Sequence, residues 1–283
     1  MNKSGTRQRL LVFSDLDGSL LDHHSYSYAE AQPSLERLRS LHIPLILNSS
    51  KTFQELIDLS VEMGLDTPFI VENGAGICIP ETSPLMQFVT DQTLVQAKNG
   101  YQLVSMATRQ KEMMELLGAF KLQFRFSTFD DLGIEQLAAL TGLTASQAKA
   151  AALRDFTQPI QWQDSQSALI EFAAAFNKLD YTLQQGGRFL HLVGEANKGT
   201  SLQWLANAYQ SLWGEEVITA GLGDGGNDIP MLEVADYPIL ISSPVNSPPD
   251  TGHIDNLVIT GQTGPAGWNR AINDLLDTFE LCY

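Results

Sequence analysis

Cysteine is close to absent from this chain. Cys78 and Cys282 are the two in 283 residues, far apart, so they form neither a disulfide framework nor a metal-ligand motif, and both are expected as free thiols in a reducing compartment. Basic residues are scarce as well: 17 Lys and Arg face 33 Asp and Glu, a net charge of -16 with a pI near 4.5. That field repels phosphate backbones and anionic lipid headgroups, which argues against nucleic acid or a membrane surface as partner. No apolar run is long enough to cross a bilayer. The opening MNKSGTRQRL leads into LLVFS without a signal-peptide core, so a cytoplasmic location is expected. Repeats and low-complexity segments are missing too, and SSPVNSPPDTG at 242–252 reads as a Pro/Ser connection.

What is present suits a packed protein. Hydrophobic residues make up 43% and charged residues 18%, and the length allows two lobes or one domain with a large insertion. LLVFS at 10–14, a helical pattern from Pro33 to Leu41, IPLILN at 43–48, a helix around Thr52–Met63 and PFIVEN at 68–73 spell βαβαβ. Unbroken Leu/Ile/Val strands belong in a parallel sheet covered on both faces, so the fold class is α/β, Rossmann-like. A second series closes the chain: a helix over Lys198–Gln210, EVITAGLGD at 216–224, a short helix from Asn227 to Val234, PILIS at 238–242, LVIT at 257–260 and a helix from Trp268 to about Leu276. Between Met86 and His191 the pattern changes. Expected strands Gln123–Ser127, Ala168–Phe172 and Phe189–Val193, with helices Ile134–Thr141 and Ala145–Leu153 split by Gly142, suggest an inserted α+β cap at 86–191 in a core made of 1–85 and 192–283.

Ligands of open parallel sheets bind beyond the carboxyl ends of the strands. There stand Asp15 and Asp17, with Gly18 permitting a sharp turn, and, after another strand, Asp224, Asn227 and Asp228 in a Gly-rich loop. An Asp-rich turn alone would explain the first pair. Four carboxylates drawn together cannot all ionise without a cation, and oxygen donors with no His or Cys beside them favour magnesium over zinc. Gly221, Gly223 and Gly226 match GxGxxG, but Asp224 would lie inside the pyrophosphate cradle and too little chain follows for a dinucleotide half. Lys198–Gly199 reverses the order that a P-loop requires. Ser49, Ser50 and Lys51 follow the second strand, where they either cap a helix or hold a phosphoryl oxygen. Lys198 opens a helix, a place disfavoured for a cation unless it meets an anion.

DLDGS at 15–19, SSK at 49–51, Lys198 and GDGGND at 223–228 resemble the four ordered motifs of the haloacid dehalogenase (HAD) superfamily of phosphotransferases, and ENGA at 72–75 resembles its subgroup with a Cof-type cap. LLDHHSYSY at 20–28, LNSSKT at 47–52, VENGAGI at 71–77, GGRFLHL at 186–192 and GPAGWNRAI at 264–272, with the cap stretches LAALTGLTASQA and RDFTQPI, are similar to the mannosyl-3-phosphoglycerate phosphatase family within it. Gln158 departs from that pattern, standing where an RxFxEP-like segment has an acidic residue, which bears on sugar identity.

The resemblance implies a HAD core with an inserted cap and an Mg2+-dependent phosphomonoester hydrolase. Asp15 would be the nucleophile and Asp17 the general acid and base. The ion would be held by Asp15, the Asp17 carbonyl and Asp224, with Asp228 as ligand or anchor and Asn227 supporting the loop. Ser49 and Lys198 would bind phosphoryl oxygens, with Ser50 and Lys51 beside them. The implied substrate is a small phosphorylated sugar-glycerate, mannosyl-3-phosphoglycerate, with glucosyl-3-phosphoglycerate or general sugar phosphates as alternatives. Arg188 is the candidate clamp for the glycerate carboxylate, ahead of Arg125 and Arg154. His23 and His24 stay outside the site. An inactive metabolite-binding module is the reading from another class, and the intact motifs argue against it. Transfer to a second sugar would differ in releasing no inorganic phosphate.

Overall fold

A computed structural model describes residues 8–89, 95–107, 110–186, 189–194, 196–245 and 247–280. The first part of the chain gives β1 (Gln8–Ser14), α1 (Gln32–Ser40), β2 (Leu45–Leu47), α2 (Phe53–Glu62), β3 (Phe69–Val71), β4 (Gly76–Pro80), β5 (Val95–Lys98) and β6 (Tyr101–Ser105). Next come α3 (Gln110–Phe120), β7 (Phe126–Thr128), α4 (Phe129–Thr141), α5 (Ala145–Ala152), β8 (Gln158–Trp162), α6 (Gln166–Asn177), β9 (Thr182–Gly186) and β10 (Phe189–Val193). The chain closes with α7 (Lys198–Trp213), β11 (Glu216–Gly223), α8 (Ile229–Val234), β12 (Tyr237–Ser242), β13 (Val258–Thr263) and α9 (Gly264–Glu280).

The core is a parallel sheet in the order β13-β12-β11-β1-β2. Its inner strands carry buried apolar runs because successive side chains feed opposite layers, whereas the edge strand β13 is largely exposed. Leu10 and Val12 pack with Leu35, Phe53, Trp268 and Ile272 on one face. Leu11 and Phe13 pack with Leu202, Leu205 and Met231 on the other. β3 touches β2 through the single parallel bridge Asn48↔Ile70 and then turns into an antiparallel sheet, β3-β4-β6-β5. Leu103 and Val104 of that sheet belong to the two core clusters. The strand pair at 95–105, inside the segment expected as insertion, is therefore packed with the core.

The cap has its own antiparallel sheet, β7-β8-β10-β9, with α3 and α6 supplying Met113, Leu117, Phe172 and Phe176 to one buried cluster and α4 and α5 supplying Phe129, Leu137 and Ala148 to another. Two expectations are corrected here. Ala168–Phe172 is helix, inside α6: Ser165 caps it by accepting from Ala168 N at 3.2 Å, and Phe172 and Phe176, spaced i, i+4, make its buried face. The strand is instead Gln158–Trp162, whose Gln158 is fully buried. The strand expected at Gln123–Ser127 begins three residues later, because the chain is still turning out of α3 where Phe124 N donates to Phe120 O. Gly142 separates α4 from α5 as a left-handed cap with φ of 81°.

Candidate active site

Strand register assembles the site. β1 and β11 run in step from Gln8↔Glu216 to Ser14↔Leu222, so the residues after each strand emerge side by side. Asp15 N donates to Leu222 O at 2.8 Å and Asn48 N donates to Ser14 O at 2.8 Å, which brings the loops after β1, β11 and β2 to one sheet edge. Trp268, fully buried, donates Nε1–H to Ser14 Oγ at 2.9 Å beneath them. Gly18 has φ of +85°, and a Cβ there would lie 2.5 Å from Asp224 Oδ2, so only glycine lets the first loop approach the acidic one this closely.

Asp15, Asp224 and Asp228 form a buried cluster in which each can offer an oxygen within 4.8 Å of the others. Lys198 joins it from the start of α7. Its ammonium is fully buried and donates to Asp15 Oδ1 and to Asp228 Oδ1, both at 2.6 Å. Burial alone would lower the pKa of this ammonium, but the two carboxylates outweigh it and hold it above its ordinary value. Burial, then Asp228, then Asp224 push Asp15 well above the usual carboxylate range, against the opposing pull of Lys198. Asp228 is fully committed, since its Oδ2 accepts from Asp224 N and Gly225 N, each at 3.0 Å. It shapes the loop and aims Lys198. Asn197 performs the capping of α7, accepting from Gly199 N and Thr200 N, so Lys198 is released to point inward.

The other sequence-predicted residues divide. Asp17 does not join the carboxylate cluster; its Oδ2 accepts from Lys51 Nζ at 2.7 Å, while its Oδ1 is buried with no hydrogen-bond partner. Lys51 is held above its ordinary value because Asp17 and Glu55 overcome the cost of burial. Ser49 is buried in the loop, its Oγ accepting from Lys51 N at 3.3 Å. Neither Ser49 nor Ser50 caps α2: Thr52 does so in a reciprocal capping box with Glu55, which leaves the serines to other work. Ser50 O accepts from Arg154 Nη2 of the cap at 2.8 Å. Asn227 Nδ2 donates to Asn73 Oδ1 at 3.0 Å. Arg188 lies outside the described residues. Arg125 is mostly exposed and turned to Asp164. Sequence reasoning missed Glu72, a fully buried carboxylate between β3 and β4; its place in the quoted ENGA stretch was the available signal.

Oxygen donors alone, buried and convergent, suit a hard divalent cation. Three carboxylates against one ammonium leave a net charge of -2 in the cluster, which such an ion would neutralise. No described helix is long and apolar enough to cross a membrane.

The haloacid dehalogenase-like hydrolase family matches residues 12–137 and 142–244. A glucosyl-3-phosphoglycerate/mannosyl-3-phosphoglycerate phosphatase of Persephonella marina is 34% identical over 272 residues, covering 96% of this chain and 98% of its own. Two solved structures share the fold. One is a phosphatase of the haloalkanoate (HAD) superfamily from Bacteroides thetaiotaomicron, with TM-score 0.64, 15% identity and 97% of each chain covered. The other is the sucrose-phosphatase of Synechocystis sp. PCC6803 in complex with sucrose and phosphate, with TM-score 0.60, 14% identity and coverage of 95% of this chain and 98% of that one.

Proposed function

This chain belongs to the haloacid dehalogenase-like hydrolases and is a phosphatase, and from that premise we propose that it removes phosphate from mannosyl-3-phosphoglycerate through an aspartyl phosphate on Asp15, with Mg2+ as cofactor. The observation that carries the chemistry is the Lys198 ammonium set 2.6 Å from both Asp15 and Asp228 at the mouth of the parallel sheet. It holds Asp15 in place while leaving a positive charge for the phosphoryl group to meet.

In the first step an Asp15 oxygen forms a bond to phosphorus as the ester P–O bond breaks, and Asp17 gives its proton to the departing alkoxide. Asp17 then takes a proton from water as the water oxygen attacks phosphorus. The acyl phosphate opens to inorganic phosphate and Asp15 is restored. Lys51 pairs with Asp17 Oδ2 alone, so Asp17 Oδ1, which has no hydrogen-bond partner, would be the oxygen that carries the proton. Ser49 and Lys198 would bind phosphoryl oxygens, with Ser50 and Lys51 at the rim. Mg2+ would be held by Asp15, Asp224 and the Asp17 carbonyl, where it would withdraw charge from the phosphoryl group and let the carboxylates stay ionised. Asp228 would act as anchor. Residues 86–191 would select the leaving group, Arg188 clamping its carboxylate.

The name of the Persephonella relative carries both sugars, which supports a second reading in which glucosyl-3-phosphoglycerate is also accepted. The test is phosphate release across mannosyl- and glucosyl-3-phosphoglycerate and simple sugar phosphates, with Mg2+ and with chelator. Turnover of simple sugar phosphates alone would overturn the glycerate assignment, and full activity in chelator would overturn the magnesium one.

A further inference from the structure

Glu72 takes no part in the chemistry above, yet its carboxylate is fully buried. It begins a turn in which three successive residues take positive φ: Glu72 at 52°, Asn73 at 61° and Gly74 at 94°. The first two are not glycine, so the surroundings must hold them there.

The backbone of this turn, with the Asn73 side chain, faces the core. Glu72 N donates to Lys51 O and Asn73 N to Ser49 O, both at 2.9 Å. Asn73 Oδ1 takes the Asn227 amide, and Gly74 O accepts from Ser201 Oγ at 2.6 Å. A Cβ on Gly74 would stand 2.1 Å from Asn197 O, directly beside Lys198. One turn therefore touches the loops bearing Ser49, Lys198 and the acidic pair.

The Glu72 carboxylate faces the other way, into the cap. It accepts from Asp155 N at 2.7 Å, Phe156 N at 3.2 Å, Thr157 N at 2.7 Å and Thr157 Oγ1 at 2.7 Å, and Arg154 Nε lies 3.5 Å away. Arg154 in turn donates Nε to Thr157 Oγ1 and Nη2 to Ser50 O, each at 2.8 Å. These contacts join positions more than 80 residues apart, distant in sequence from the crossings that follow β6 and β10. Two crossings permit a cap to rotate as a body, whereas a third attachment fixes its rotation. Breaking that attachment would strand a buried carboxylate and three backbone donors.

We propose that Glu72 is a positioning residue: its side chain docks cap segment 154–157 onto the turn that braces the catalytic loops, so that leaving groups large enough to meet the cap are turned over only when this contact is made. The inference rests on the phosphatase reading of the site.

Glu72→Gln keeps the volume and all core-side bonds of the turn while removing the charge and half of the acceptors. In the full-length protein with Mg2+, kcat/KM for the best glycosyl-3-phosphoglycerate should fall roughly 10- to 100-fold, the scale of a small misplacement, while p-nitrophenyl phosphate changes less than about threefold. Hydrogen exchange at the amides of 155–157 should quicken, with β1 and β11 unchanged. Combining Glu72→Gln with Arg154→Met should cost no more than the worse single change. Equal loss on both substrates, loss on neither, or unchanged exchange at 155–157 would each overturn the proposal. Should Glu72→Gln fail to fold, Thr157→Val removes one hydroxyl bond to the same carboxylate and is read in the same way. Wild-type protein that cleaves the aryl phosphate but no glycosyl-3-phosphoglycerate would defeat the substrate reading alone; the exchange measurement and the largest sugar phosphate it does cleave then still decide the role of Glu72.

Discussion

Lys198→Met tests the electrostatics of the site most directly. Methionine fills much of the same volume but removes every donor from a position with no solvent access, leaving Asp15 and Asp228 facing each other across the gap. Removing one partner of a buried ion pair costs about 3–5 kcal/mol. For a chain of this size that is a fall in melting temperature of about 5–8 °C. The fall should be largest in chelator, because a divalent cation supplies positive charge to the same carboxylates and stabilises whichever form binds it. Scanning calorimetry of wild type and variant, each in EDTA and in Mg2+, makes the comparison. The variant's gain on adding Mg2+ should exceed that of wild type, while phosphate release falls by about 10²–10³ through loss of a charge aimed at the phosphoryl group. A melting temperature within about 2 °C of wild type in EDTA, with an equal response to Mg2+, would mean that the Lys198 bonds do not hold the cluster together.

Asp15→Asn should fold and melt at or above the wild-type temperature, since it removes a carboxylate whose ionised form is disfavoured by burial and by two neighbouring acids, yet lose turnover; retention of more than about a tenth of kcat, a barrier change under roughly 1.4 kcal/mol, would remove it from the nucleophile role. Arg188→Ala should cost on the order of 2–4 kcal/mol in kcat/KM for a glycerate-bearing substrate and much less for an aryl phosphate, and an equal loss on both would end the clamp assignment. His191, on β10, is held to about 3, first by burial and then by the charge of Arg154, and its Nδ1 has no hydrogen-bond partner. A depressed value means its stability contribution is full above pH 6.5 and is lost as pH falls toward 3, by up to about 1.4 kcal/mol per pH unit. The melting temperature of wild type should therefore fall more steeply between pH 6.5 and 4.5 than that of His191→Gln, and parallel curves would refute it.

The core was readable because its signals are local. The inner strands carry apolar runs, and Asp15, Lys198 and Asp224 fall immediately after a strand or at a helix start, where chain position alone fixes their place at the sheet edge. The cap was harder to read. Leu169 and Phe172 fit a strand as well as a helix over five residues, and only the longer window with Ser165 ahead of it and Phe176 behind decides for helix. β8 was passed over because Pro159 and two glutamines dilute it, although partners on both sides make it a strand. The Asp17–Lys51 pair and the Glu72 contacts could not be seen at all, since they join residues 34 and about 84 positions apart through folding of the whole chain.

The capping of α2 by Thr52 has an evolutionary consequence. Because Thr52 and Glu55 close the helix between themselves, the three residues before it owe their side chains nothing to helix upkeep. Selection for a new leaving group can therefore explore the side chains of Ser50 and Lys51 while the loop stays fixed by the backbone bonds of Ser49 and Lys51 to the turn at 72–73. One step along, at Thr52, the same freedom ends, since its hydroxyl also reaches the cap at Ala150 O. Descendants that diverge in substrate should carry their differences on the near side of that threonine.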